Sequence, residues 1–338
     1  MTLQLGLMLG YWQAGPPPGL VDLVVEAERL GYDSVFTAEA WGSDAFTPLA
    51  WLGAHTSRIR LGTGIAQIAA RTPASTAMHA MTLDHLSGGR VILGLGVSGP
   101  QVVEGWYGQP FDKPVSRTRE YVSIVRKILA REQAVSNDGE WYPLPYTGRG
   151  AWNLGKPLRS IVHPLRPDLP IVLGAEGPRN VALAAELCDG WIPLYYSPYR
   201  PEVYAESLAA RRPGFEVFYP VRLLITNEVE KGLAELKSGL AFYVGGMGAK
   251  QRNFHRELMA RMGYEEASLR VQDLFLAGRR DEAVAAVPDA FVDEIALVGP
   301  PERIRDRLGA WSASDVTTLL VGARSAEELR QAAELVLG

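Results

Sequence analysis

One cysteine in 338 residues rules out an internal disulfide framework. Cys188 ends the helical stretch Val-Ala-Leu-Ala-Ala-Glu-Leu-Cys and reads as a small buried hydrophobe, which favours a reducing, cytoplasmic setting. The histidines, His55, His79, His85, His163 and His255, contain no pair at the local spacing of a zinc-binding helix, so no metal is expected. No Gly-x-Ser-x-Gly elbow is present, and Cys188 lacks the electropositive context that would activate a thiol. No apolar run approaches the roughly 20 residues of a membrane helix, and no basic segment precedes an apolar one at the start, so neither membrane insertion nor secretion is expected. A net charge of -4 gives no reason to expect nucleic acid or an anionic membrane as partner. With metal and nucleophile both lacking, bond chemistry by a bound organic cofactor rises by elimination.

What the chain does have is 47% hydrophobic residues and a repeated joint: an alanine-rich charged helix, a glycine or polar turn, then an apolar strand. It recurs at Glu26 to Phe36, Leu86 to Leu93, Ala185 to Ile192 and Leu308 to Leu320. Strands alternating with helices require parallel pairing with right-handed crossovers. Strand candidates are Leu5 to Leu9, Ser34 to Thr37, Arg60 to Ile68, Val91 to Leu95, Pro170 to Gly174, Gly190 to Leu194, Val217 to Thr226 and Val316 to Val321. Eight such strands predict a (β/α)8 TIM barrel with insertions, an α/β fold; an open doubly wound sheet has the same alternation and remains the competitor. The organisation expected is one domain over 1–338, with excursions at about 137–169 and 240–292.

The most informative segment runs from Arg58 to Gly108, a βαβ unit whose two strands each end in glycine-rich turns. Thr72 as N-cap, Pro73 at the first helical position and Gly88-Gly89 at the end bound its helix. Glycines clustered after successive strands let backbone approach a flat or phosphorylated ligand. Gly94-Leu-Gly-Val-Ser-Gly99 matches GxGxxG, but no second strand ends in an acidic residue about 20 residues on, so a dinucleotide fingerprint is not favoured. Gly245-Gly-Met-Gly-Ala-Lys250 lacks the spacing of a phosphate loop and reads as a mobile helix-start turn. His85 reads as a structural histidine near a helix C-terminus.

Phe36-Thr-Ala-Glu-Ala-Trp41, Arg71-Thr-Pro73, Thr82-Leu-Asp-His-Leu-Ser-Gly-Gly-Arg90, Gly94-Leu-Gly-Val-Ser-Gly-Pro-Gln101 and Gly174-Ala-Glu-Gly-Pro-Arg-Asn180, in this order, resemble the luciferase-like monooxygenase superfamily. The branch they resemble is that of oxidoreductases using the deazaflavin coenzyme F420. The resemblance implies a TIM barrel with the cofactor at the C-terminal strand ends, and hydride transfer at ring carbon five to or from a small-molecule substrate. The alternatives are an FMN-dependent monooxygenase on the same barrel and a non-catalytic F420-binding barrel.

By the same resemblance, Glu39 and Trp41 line the ring and substrate pocket as the catalytic candidates, with helix capping as the other reading of Glu39. Gly64, Ile65 and Ala66 match the place of a non-proline cis peptide behind the ring. Val97, Ser98 and Gly99 match residues beside it. Gly174, Ala175, Glu176, Gly177 and Pro178 match a phosphate site at a helix start, where free amides and the positive dipole end favour an anion. Arg71 is a partner either for the cofactor's acidic tail or for its own helix. The histidine and glutamate that sugar-phosphate dehydrogenases of the superfamily carry are replaced by Ala40 and Gly99, which argues against a sugar phosphate; Glu39 and Glu104 remain as proton-handling candidates. Trp12, Trp41, Trp106 and Tyr107 are candidates for a substrate wall, and the stretch from Leu240 to Leu276 for a lid. The face of Ala74, Ala77, Met78 and Met81 implies either core packing or a homodimer interface.

Overall fold

The computed structural model describes residues 3–247 and 253–338. Its strands are β1 (Gln4–Met8), β2 (Ser34–Thr37), β3 (Arg60–Thr63), β4 (Ala66–Gln67), β5 (Val91–Gly96), β6 (Ile171–Gly174), β7 (Gly190–Ile192), β8 (Glu216–Ile225), β9 (Ala296–Gly299) and β10 (Thr318–Val321). All named pairings are parallel, and β10 pairs with both β1 and β8, so the sheet closes on itself. The chain is a TIM barrel; the open-sheet alternative falls on that closure.

Two details depart from the eight expected strands. The segment Arg60 to Ile68 is broken into β3 and β4 at the Gly64–Ile65 peptide, which is cis, as the resemblance implies. A further strand, β9, lies beyond the second excursion and extends the sheet where β8 outruns its barrel neighbours, pairing Arg222 to Ala296 and Ile225 to Gly299. Its short apolar run, Ala-Leu-Val-Gly, has no alternation to mark it and follows a helix without a turn signal.

The helices are α1 (Leu20–Arg29), α2 (Phe46–Gly53), α3 (Pro73–Ser87), α4 (Pro100–Gly105), α5 (Pro114–Ala130), α6 (Pro178–Leu187), α7 (Glu202–Ala205), α8 (Val229–Gly246), α9 (Phe254–Met259), α10 (Glu265–Leu276), α11 (Arg280–Ala285), α12 (Asp289–Ile295), α13 (Pro301–Ser312) and α14 (Ala326–Val336). Helix α3 keeps the predicted ends: Thr72 accepts from the Ser75 amide, and Gly88 closes the helix at φ 71°. The first excursion holds little regular structure beyond two isolated bridges, Val135 to Leu158 and Asn137 to Leu144. The second begins earlier than expected, at α8, and ends with α12. Gly245 and Gly246 do not open a helix; they close α8, because α10 packs there and a Cβ on Gly245 would lie 2.4 Å from Phe275 Cβ. Gly248 to Lys250 lie outside the described residues.

Inside the barrel, almost every strand contributes one apolar side chain to a single cluster: Phe36, Ile92, Val172, Ile192, Phe218 and Leu320, joined by Met8 and by Ile65 at the break. A larger core fills the layer between barrel and helices. Cys188 is fully buried there, and burial pushes its thiol up to about 12, so it behaves as the inert hydrophobe expected. No helix among the described residues is long and apolar enough to cross a membrane.

The inward course of the chain at Ile65 depends on missing side chains around it. A Cβ on Gly96 would lie 2.7 Å from Ile65 Cγ1, one on Gly174 2.8 Å from Ile65 Cγ2, and one on Gly94 1.8 Å from the Thr63 carbonyl oxygen. Gly94→Ala should therefore lower the unfolding free energy by more than about 2 kcal/mol, since backbone cannot yield as a side-chain tip does. Gly239→Ala, exposed in α8 with open space around it, should instead gain about 0.5–1 kcal/mol. Urea denaturation of the two variants checks the contrast.

Candidate active site at the barrel mouth

The C-terminal strand ends form one rim. After β2 the chain turns through Glu39, whose carboxylate is buried and saturated. It takes a bidentate pair from Arg71 (2.9 and 2.7 Å), the Gln67 amide at 2.8 Å and the Ala45 amide at 3.3 Å. Gln67 answers with its side-chain amide on the carbonyls of Glu39 and Ala40. Arg71 also lies over the Phe46 ring at 5.1 Å, and Tyr121 donates to its carbonyl at 3.0 Å. Arg71 is thus spent on Glu39. Asp44, which accepts from the amides of Phe46 and Thr47, caps α2. With all donors in place, Glu39 holds three rim segments in fixed relation.

A cleft of about 220 Å³ opens beside this pair, lined by Glu39, Ala40, Asp44, Arg71, Trp106 and Tyr107 among others. Two of the four aromatic wall candidates therefore meet there, and Tyr107 donates to the Ala40 carbonyl at 3.1 Å. Trp41 stands exposed on the adjoining loop, and Trp12 packs against the core. Glu104 accepts a long bond from the Phe111 amide. His85 meets the His163 carbonyl at 2.7 Å, a structural contact as read.

Ile65 and Ala66 form the floor between β3 and β5, under the glycines already described. Val97, Ser98 and Gly99 follow β5 directly, with Ser98 at φ 58° and Gly99 as the residue before α4. Across the floor, Gly174 ends β6, Ala175 takes its place through Trp191, whose indole donates to its carbonyl at 2.8 Å, and Glu176-Gly177-Pro178 lead into α6. The amides of Glu176, Gly177 and Arg179 meet no acceptor among the described residues. The structure therefore brings Gly64 to Ala66, Val97 to Gly99 and Gly174 to Pro178 together on three neighbouring strands, and places Glu39 on the next strand end. A glycine-cleared apolar floor beside free amides at a helix start fits a flat cofactor that carries a phosphate.

The second excursion spans from the end of β8 to β9 and is tied to the barrel by Glu294 of α12. Burial pushes the Glu294 carboxyl up, but hydrogen bonds from Arg200, Tyr264 and Ser197 outweigh it and hold it below the usual range. A second tie joins Glu176 to His255 of α9, 2.7 Å apart. Sequence reasoning did not assign His255, because nothing local in the chain signals a partner 79 positions away.

A family model for luciferase-like monooxygenases matches residues 5–318. The chain belongs to that family. Over 343 aligned residues it is 54% identical to a Mycobacterium tuberculosis protein provisionally named a coenzyme F420-dependent oxidoreductase, covering 99% of both chains. It is 26% identical to a 5,10-methylenetetrahydromethanopterin reductase of Archaeoglobus fulgidus, covering 92% of this chain and 91% of that one. The same fold is found in the coenzyme F420-dependent tetrahydromethanopterin reductase of Methanopyrus kandleri, with a TM-score of 0.78 at 20% identity, covering 100% of this chain and 99% of that one.

The Glu39–Arg71 pair is buried, with side chains 3% and 14% exposed. Removing one partner strands the other's charge and should cost about 3–5 kcal/mol. Glu39→Ala and Arg71→Ala should each lower stability by that order, and the double variant by much less than their sum. A double-mutant cycle by urea denaturation measures this; additive losses would mean the pair does not hold the rim.

Proposed function

We propose that this chain is an oxidoreductase that transfers hydride between coenzyme F420 and a small organic substrate. The observation that carries the reading is the single rim on which a glycine-cleared floor and the free amides of the α6 start lie side by side. The 54% identical relative, named for the same coenzyme, supports it. In this reading Gly64, Ile65 and Ala66 lie behind the ring, Val97, Ser98 and Gly99 flank it, and Gly174, Ala175, Glu176, Gly177 and Pro178 hold the phosphate. When bound, the deazaflavin supplies hydride exchange at ring carbon five and needs no oxygen.

The chain's own residues orient and enclose. Ile65 fixes one face and leaves the other open toward the cleft, so a substrate approaches from the side of Trp106, Tyr107 and Trp41. Glu39, its oxygens committed, is a positioning residue here: it holds Gln67 and Arg71 and so the shape of the cleft. The second excursion limits water at the mouth. A lone buried thiol agrees with a reducing cytoplasm.

Fluorescence titration with F420 and with FMN tests the cofactor. Micromolar binding of F420 with FMN at least about tenfold weaker, a gap of about 1.4 kcal/mol, is expected. The reverse preference would favour oxygen chemistry on FMN, and binding of neither would overturn the assignment.

We also propose a homodimer through α2 and α3. Of the face expected there, Ala77 and Met81 are core residues and Met78 is 62% exposed; outside that expectation, Leu86 of the same helix is 76% exposed and Trp51 on the neighbouring helix 61%. Large apolar groups this open on two helices that pack against each other, two of them eight residues apart on α3, suit a surface covered by a second copy. Sedimentation should give twice the chain mass, and Met78→Glu with Leu86→Glu should give the monomer.

A further inference from the structure

Beside the free amides of the α6 start sits a charge that opposes their use. The Glu176 carboxylate belongs to the same turn, and an anion drawn to the amides of Glu176, Gly177 and Arg179 would meet it. The second excursion places a compensating group there: His255 Nδ1 is 2.7 Å from Glu176 Oε2, and Arg261 donates to the Glu176 carbonyl at 2.9 Å. The start of α9 is fixed for this purpose by buried Asn253, whose side chain accepts from the Arg256 amide at 3.0 Å and donates to the Val244 carbonyl at 2.8 Å. His255 Nε2 makes no hydrogen bond among the described residues. Beside the pair, the Tyr195 hydroxyl is buried with no hydrogen-bond partner among the described residues, in a side chain only 5% exposed.

On the reading of this rim as an F420 site, we propose that His255 is a cofactor-binding residue that, when protonated, cancels the Glu176 charge and makes binding of the phosphate-bearing coenzyme proceed with proton uptake. The groups facing the imidazole are Glu176, the rings of Tyr195 at 6.4 Å and Tyr243 at 5.1 Å, and, through Tyr243, Tyr11 and Arg222. Its own segment adds Arg256, Glu257 and Arg261. Burial pushes Tyr11 up to about 12 and raises Tyr195 and Tyr243 as well, so the phenols stay neutral throughout the range in which an imidazole changes charge. The sign follows: an anion at the amides favours the charged imidazole, so affinity is highest at low pH and falls as the imidazole loses its proton.

Two ligands separate the phosphate from the ring: F420 and its phosphate-free deazaflavin, which keeps the same ring and ring ionisation. Between about pH 5.5 and about pH 8.5 the affinity for F420, relative to the phosphate-free ligand, should fall about tenfold. In His255→Gln this ratio should be flat with pH and low. In Glu176→Gln the ratio at about pH 8.5 should lie above that of the wild type, because no carboxylate is left to repel the anion. Glu176→Gln with His255→Gln together should bind F420 more tightly than His255→Gln alone, which a mere lid latch between the two side chains would not produce. A wild-type ratio independent of pH, or an unchanged profile in His255→Gln, overturns the proposal and leaves the F420 site standing. Failure of F420 to bind at any pH overturns the site itself.

Discussion

Everything at the mouth of this barrel depends on space kept empty around one side chain. Ile65 can enter the barrel only because Gly96 and Gly174, on the two strands facing it, present no Cβ, and because Gly94 lets β5 lie against the Thr63 carbonyl. The Thr63 hydroxyl then bridges that contact in both directions, donating to the Gly94 carbonyl and accepting from its amide. A close-packed interior has no other way to admit a change of course in a strand. The consequence reaches both flanks, since the chain after Ile65 runs through Ala66 and Gln67 to Arg71, and the strand after Gly174 delivers the α6 start.

Two carboxylates stand on this rim, and their surroundings give them opposite tasks. Glu39 is held by the full fork of an arginine and by two amides, an arrangement that leaves no lone pair for substrate. Glu176 meets one imidazole, a group whose charge is not permanent. A guanidinium fixes geometry because it cannot be deprotonated, whereas a histidine makes its contact conditional on pH. The fixed pair belongs to β2 and the segment after β4, within the barrel proper; the conditional one joins the barrel to an excursion.

The alternation of strands and helices, the α3 boundaries and the three glycine-bearing turns could be read along the chain, because each is written locally in caps, prolines and period-two or continuous apolar runs; closure of the sheet was implied only by the resemblance, since it rests on the pairing of β10 with β1 and β8. The glycine motifs were legible as clearances, though not what they cleared. Glu39 and Arg71 were each noticed, yet whether they met each other or a ligand depended on a 32-residue separation that only the packing of β2 against β3 closes. The strand β9 was missed for a related reason: four apolar residues between two helices have no period of their own, and only the overhang of β8 gives them a partner. Gly245 and Gly246 misled as a turn because a helix glycine that makes room for Phe275 looks in sequence like a loop glycine.

That contrast bears on how substrate range changes on such a barrel. The floor tolerates little: a Cβ at Gly94, Gly96 or Gly174 would collide with backbone or with Ile65 itself. The cleft side is more open, with Trp106 in its wall and Trp41 on the adjoining loop both more than half exposed. The excursion is anchored through Glu294 independently of anything in the cleft. On the proposed reading, a fixed floor, a separately anchored cover and an exposed aromatic wall would let the wall vary while the ring position stays the same, so that chemistry would follow from the β3, β5 and β6 ends and substrate choice from the loops after β2 and β5.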